Sequence, residues 1–172
     1  MSFNPTTNRP TPSEDEAFNK LSALCARAEH SSGEMVDKMR RWGIDDETQA
    51  RIMARLIRGK YIDDERYARL FVEDKIRFDH WGRTKIALTL RRKGIDSTTA
   101  ASVLDDIDDD RYLEVLRPLI QAKRRTVKAR NDYERTGKLM RFALSRGFTM
   151  DQIRRCLDGA DEYEYDMTDD DE

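Results

Sequence analysis

One short pattern occurs three times in this chain and limits what it can fold into. It reads Met35-x3-Met39-x3-Gly43-Ile44, then Ile86-x3-Leu90-x3-Gly94-Ile95, then Leu139-x3-Ala143-x3-Gly147-Phe148, with the glycines 51 and 53 residues apart. Each copy is an apolar i, i+4 stripe, the mark of one buried helix face. The glycine can take the left-handed conformation that ends a helix, and the large apolar residue after it folds back on the last turn. A unit of this length used three times predicts a tandem array, which presents an extended binding surface rather than a catalytic pocket.

Helix starts fall between the stripes. Ser13 with Glu16, Ser31 with Glu34 and Thr149 with Gln152 form capping boxes, in which a hydroxyl and a longer polar side chain satisfy each other's orphan N–H groups. Asp45, Asp63, and Asp96 or Ser97 are further caps. The helices between them carry Phe18, Leu21 and Leu24; Ile52, Met53 and Leu56; Tyr67, Leu70, Phe71 and Ile76; Val103, Leu104 and Ile107; Tyr112, Leu116, Leu119 and Ile120. Pro118 interrupts the last of these and is expected to kink or restart the helix. No strand-length alternation bounded by hairpin turns is present. The expected fold is all-α, three tandem three-helix repeats in an elongated array. Residues 1–12 are read as a disordered N-terminal extension, 13–62 as the first repeat, 63–107 as the second, 108–157 as the third, and 158–172 as a disordered acidic tail.

Charge narrows the function. The chain has 32 Lys and Arg against 34 Asp and Glu, but residues 158–172 hold nine of the acids and no base. Without them the remainder carries +7, so a basic body faces an acidic tail. Such a body suits a polyanionic partner, for which the tail competes. Truncation after Leu157 is expected to raise DNA affinity at low salt. No run of about 18 apolar residues is present, so no transmembrane helix is expected. Met1-Ser2-Phe3-Asn4-Pro5-Thr6 lacks a basic region followed by an apolar stretch, so no secretory signal is expected. Cys25 and Cys156 lack CxxC spacing and read as free thiols. His30 and His80 have no companion ligands, and no P-loop, HExxH or nucleophile–base pair is evident. No enzyme activity, metal or cofactor is expected.

The middle repeat is the most distinctive. Gly59-Lys60-Tyr61-Ile62-Asp63-Asp64-Glu65-Arg66-Tyr67-Ala68 is followed by Trp81-Gly82-Arg83-Thr84-Lys85-Ile86 and closed by Leu90-Arg91-Arg92-Lys93-Gly94-Ile95. This resembles the bacterial RecX family, whose signature is a G-Y-hydrophobic-D-D-E-R-aromatic-A segment, then a G-x-x-x-hydrophobic helix ending in L-R-x-K-G-I. The resemblance implies a small cytoplasmic regulator that binds the RecA recombinase and its filament on single-stranded DNA. It implies suppression of filament growth, ATP hydrolysis and strand exchange. It also implies three tandem three-helix repeats. The third repeat departs from the pattern with Ala143 where the others have Met39 and Leu90. A monomer is expected, with direct DNA contact possible and no membrane partner.

Within the signature, Asp63, Asp64 and Glu65 read as helix caps rather than metal ligands, because adjacent helical positions point in different directions. Tyr61, Tyr67, Phe71, Trp42 and Trp81 read as packing residues, and Gly82 as a point of close helix approach. Gly59, Tyr61, Asp63, Asp64, Tyr67, Gly82 and Gly94 are therefore structural. The expected partner contacts are cationic: Arg83, Lys85, Arg91, Arg92 and Lys93 on one helix, and Lys123, Arg124, Arg125, Lys128 and Arg130, five cations within eight residues. Cations in a last helical turn serve the helix dipole, but the second run is longer than that need. Its partners would be phosphates or an acidic protein surface. Three functions compete. They are a RecA-modulating interaction protein, an autonomous nucleic-acid-binding module, and a scaffold for another partner.

Overall fold

The protein is described here by a computed structural model in which residues 10–158 are placed. Among them are nine helices and no strand: α1 (Glu14–Cys25), α2 (Ser32–Arg41), α3 (Asp46–Arg58), α4 (Asp64–Arg77), α5 (Arg83–Arg92), α6 (Ser97–Asp105), α7 (Asp109–Thr126), α8 (Asp132–Ser145) and α9 (Met150–Asp158). The extensions read as disordered lie outside the described residues over 1–9 and 159–172.

The caps form these helices where local chemistry dictates. All three boxes close: Glu16 N–H donates to Ser13 Oγ at 3.2 Å, Glu34 N–H to Ser31 Oγ at 3.2 Å, and Gln152 N–H to Thr149 Oγ1 at 3.3 Å, each with the reciprocal bond present. Asp45, Asp63 and Asp96 accept from Thr48, Arg66 and Thr98 N–H at 2.9–3.0 Å. At the far ends, Gly43, Gly94 and Gly147 have φ of 75°, 78° and 92°. Ile44 and Phe148 N–H then reach back to the Met39 and Ala143 carbonyls, the closing bonds of a Schellman turn. α3 ends differently. Gly59 has φ −77°, and the left-handed residue is Lys60 at φ 57°. Gly59 is needed instead for space, because a Cβ there would lie 2.9 Å from the Tyr61 ring.

The chain divides into two compact units, with the boundary inside α4. The first holds the described residues up to Tyr67 together with Lys93–Ile95. Its core gathers Ala17, Leu21, Met35, Met39, Ile44, Ile52, Leu56 and Ile62, with Phe18, Leu24, Val36, Trp42 and Met53 packed against them. α3 packs on both α1 and α2. The second unit holds Ala68–Arg92 and the described residues from Asp96 on. Here α5 packs on α6, and α7, α8 and α9 pack on one another. Ile86, Leu90, Tyr112, Leu113, Leu116, Leu139, Phe148 and Ile153 are buried among its helices. All six stripe residues, Met35, Met39, Ile86, Leu90, Leu139 and Ala143, are at most 1% exposed. Burying each larger one contributes about 1.5–3 kcal/mol.

The restart expected at Pro118 does not occur. α7 runs unbroken through it. The proline is exposed, as is Glu114, whose carbonyl loses its helical donor and is left to solvent. Buried Leu116 and Ile120 on either side hold the helix to its neighbours. This packing offsets a cost of about 3 kcal/mol relative to alanine.

Candidate functional site

The end of α7, the 127–131 turn and α8 concentrate the basic charge. Residues 123–141 hold eight Lys and Arg against Asp132 and Glu134, a net +6 that accounts for most of the +7 of the body. Val127 takes extended backbone and stops α7. Asn131 Oδ1 then accepts from Glu134 N–H at 2.8 Å and starts α8. Glu134 fastens the turn. Its carboxylate accepts from Arg130 N–H at 3.0 Å, from Arg130 Nε at 3.2 Å and from Lys138 Nζ at 3.0 Å. These bonds, the Arg130 N–H foremost, hold the Glu134 pKa down at about 2. Lys138 Nζ also donates to the Lys128 carbonyl at 2.6 Å. The turn is therefore built by acid–base pairs that leave other cations unmatched.

Of the five cations in 123–130, Lys123 lies 5.0 Å from the Phe142 ring centre and Arg130 pairs with Glu134. Arg124, Arg125 and Lys128 form no ion pair among the described residues, and Arg125 and Lys128 are exposed. The α5 cations are placed differently. Arg83 donates to the Leu104 carbonyl at 3.0 Å and to Asp105 at 2.5 Å, closing the end of α6. Lys85 stands 4.3 Å over the Trp81 ring. Lys93 donates to Glu34 at 2.9 Å, a bond that raises the Lys93 pKa. Burial opposes the Glu34 charge, but its bonds to Lys93, Ser31 N–H and His30 outweigh burial and lower its pKa. Arg91 and Arg92 are exposed and without an ion pair among the described residues. Among the described residues, a phosphate would have to displace an existing acid from Arg83 or Lys93, but not from Arg91, Arg92, Arg124, Arg125 or Lys128.

The signature residues do structural work. Asp63 caps α4, but Asp64 accepts from Ser32 N–H at 2.8 Å and Ser32 Oγ at 2.5 Å, so it holds the first turn of α2. Tyr67 is 8% exposed. The Tyr61 ring meets Phe18 edge-on at 6.0 Å. Gly82 is buried, its N–H donating to the Arg146 carbonyl at 2.8 Å, and a Cβ there would collide with Gly147. Gly94 faces Gly33, with a Cβ on either coming within 2.7 Å of the other's Cα. Sequence patterns did not single out Tyr133, Gly137 and Arg141. A Tyr-x3-Gly-x3-Arg spacing on one helix face would have been the signal.

Among the described residues no group of three or more His, Cys, Asp or Glu is placed to hold a metal ion. No helix there is long and apolar enough to cross a membrane.

These features define an all-α protein of tandem three-helix domains. The three domain descriptions of RecX match in order: the first three-helix domain at residues 17–56, the second at 63–104 and the third at 109–157. Regulatory protein RecX of Prosthecochloris aestuarii is 30% identical over 144 residues, covering 83% of this chain and 92% of that protein. Regulatory protein RecX of Clostridium tetani is 28% identical over 127 residues, 72% of this chain, but the match spans only 57% of that longer protein. The crystal structure of RecX from Lactobacillus salivarius superposes with a TM-score of 0.80 at 23% identity, covering 87% of this chain and 97% of that one; the likeness is one of fold. The chain belongs to the RecX family of regulatory proteins.

Proposed function

We propose that this protein binds the RecA recombinase and its filament on single-stranded DNA, and limits filament growth, ATP hydrolysis and strand exchange. Family membership supports the partner. The observation that carries the interface is the cationic stretch around 123–130, where Arg124, Arg125 and Lys128 form no ion pair among the described residues while Glu134 fixes the turn that presents them. Arg91 and Arg92 are the second contact group. The mechanism needs no covalent chemistry. Binding that favours an inactive filament state, or blocks subunit addition at an end, acts through differential affinity alone. The protein acts in the cytoplasm as a monomer.

The test is DNA-dependent ATP hydrolysis by the host's RecA, with this protein titrated from far below stoichiometry. A progressive decline at substoichiometric doses is expected. A Lys123→Glu/Arg124→Glu/Arg125→Glu variant should lose most of that inhibition. If all three residues meet phosphates, the log–log salt slope of filament binding should flatten by roughly 2. Full inhibition by the triple variant would remove the segment from the mechanism. No inhibition by the native protein, with salt-steep binding to DNA alone, would leave an autonomous nucleic-acid-binding module.

A further inference from the structure

The +6 stretch contains a feature that charge alone does not explain. Tyr133, in the first turn of α8, is 91% exposed. Four residues on is Gly137, and four further is Arg141, which is exposed and has no ion pair among the described residues. Positions at i, i+4 and i+8 share a helix face. With Arg130 and Met140, these three line an open hollow of about 570 Å3.

Gly137 makes the hollow informative. A glycine inside a helix costs about 1 kcal/mol relative to alanine, so a structural reason for it would be close approach of another group. Among the described residues there is none: a Cβ at 137 would meet only Arg141 Nη1, at 3.8 Å. The corresponding positions in the other repeats, two residues before the first stripe residue, do lie against backbone. Gly33 faces Gly94, and Thr84 N–H donates to the Gly147 carbonyl at 3.0 Å. Gly137 is instead half-buried with no backbone of the described residues against it, flanked by an aromatic ring and a guanidinium.

We propose that this face of α8 is a stacking subsite for single-stranded nucleic acid, with a base lying over Gly137 between the Tyr133 ring and the Arg141 guanidinium. The proposal rests on the reading that the 123–141 surface meets nucleic acid, and it names where the bases go. Tyr133 and Arg141 are separated by roughly 12 Å along the helix axis. Arg141 Nη1 reaches back to within 3.8 Å of where a Gly137 Cβ would stand, so the guanidinium borders the same hollow as the Tyr133 ring. Rings and guanidinium planes both stack on bases without regard to sequence. Arg124, Arg125 and Lys128, just before α8 in the chain, supply the phosphate contacts. Both faces of the base are then met by this chain, which bare phosphate binding does not require.

The experiment uses the full chain and a single-stranded oligodeoxythymidylate carrying one 2-aminopurine, whose fluorescence falls when it stacks. Native protein should quench the probe. Tyr133→Ala should abolish the quenching and weaken binding roughly 5- to 100-fold, whereas Tyr133→Phe should keep both. Gly137→Leu should act like Tyr133→Ala by filling the space. It replaces a weak helix former with a strong one at a site open to solvent, so it should not unfold α8. Binding without quenching, no binding to the oligonucleotide, or unchanged quenching in Tyr133→Ala would each overturn the proposal. So would a Tyr133→Ala variant with native oligonucleotide binding but weakened binding to RecA free of DNA, which would make this face a protein contact. RecA ATP hydrolysis measured in parallel separates the two readings. Tyr133-dependent quenching by a protein that leaves RecA unaffected would sink the RecA assignment and keep the stacking subsite.

Discussion

Two glycine seats in this molecule perform the same task with different donors. In the first unit, Gly33 lies against the turn at Lys93–Gly94, and the donor to the Lys93 carbonyl is the Ser31 hydroxyl, at 2.6 Å. In the second, Gly82 lies against Arg146–Gly147, and the donors are two backbone groups, Gly82 N–H at 2.8 Å and Thr84 N–H at 3.0 Å. In the second, the unpaired N–H end of one helix meets the unpaired carbonyl end of another, so two sets of orphan groups satisfy each other, whereas in the first a hydroxyl takes the place of the N–H groups. The first seat therefore depends on a side chain that mutation can remove. The second depends on backbone, which only shape can protect. The third repeated glycine, Gly43, has the same left-handed backbone but is exposed, and the nearest atom to a Cβ there is Thr11 Oγ1 at 3.2 Å.

The comparison breaks most visibly at Gly147. Alanine there combines a left-handed φ with a Cβ 2.5 Å from Lys85 N, and should cost about 3 kcal/mol or more in urea unfolding. A loss below 1 kcal/mol would mean that the seat relaxes freely. Gly33→Ala isolates shape from φ, since Gly33 is not left-handed and only the approach of Lys93 and Gly94 resists a Cβ; about 1–3 kcal/mol is expected. Ser31→Ala tests the side-chain donor. It removes both the α2 cap and the bond to Lys93, and should cost about 1–2 kcal/mol, while Thr84→Ala, which keeps the backbone donor, should stay within about 0.5 kcal/mol. Equal effects at the two positions would erase the distinction. Gly43→Ala should cost only about 1 kcal/mol, the left-handed penalty without a seat.

Acid provides a milder probe of the turn before α8. The Glu134 pKa is lowered when folded, so its contribution is present above the ordinary carboxylate value of 4.5 and is lost as pH falls through about 2. Hydrogen exchange at Arg130 and Glu134 N–H should therefore gain relative to the seats below pH 4.5. Glu134→Gln should show that gain already at pH 7. Unchanged protection in that variant would mean that the turn does not depend on the carboxylate.

What the sequence revealed and what it hid follow from distance along the chain. The three capping boxes, the left-handed glycines and the apolar stripes are all local, with partners within about five residues, so pattern sufficed for them. The Ser32–Asp64 bond and the Lys93–Glu34 pair join residues 32 and 59 apart, with no local signal to announce them. Gly82 was legible as a close approach, but its partner Gly147 was not. The helix continues past Pro118 rather than restarting there because burial on both sides of it outweighs a local rule. Among the candidate contacts, residue type identified the cations. It could not separate Arg83 and Lys93, which already have acids, from Arg124, Arg125 and Lys128, which have none among the described residues.

The Ser31 hydroxyl finds its acceptor 62 residues further along the chain. α3 ends at Arg58, so on a ribosome adding about 5–20 residues per second, α1, α2 and α3 would emerge roughly 2–7 s before the turn that completes the first unit. During that interval the Gly33 face of α2 is open to whatever else is nearby. A nascent chain of this design has a built-in delay between making its first three helices and finishing the body to which they belong.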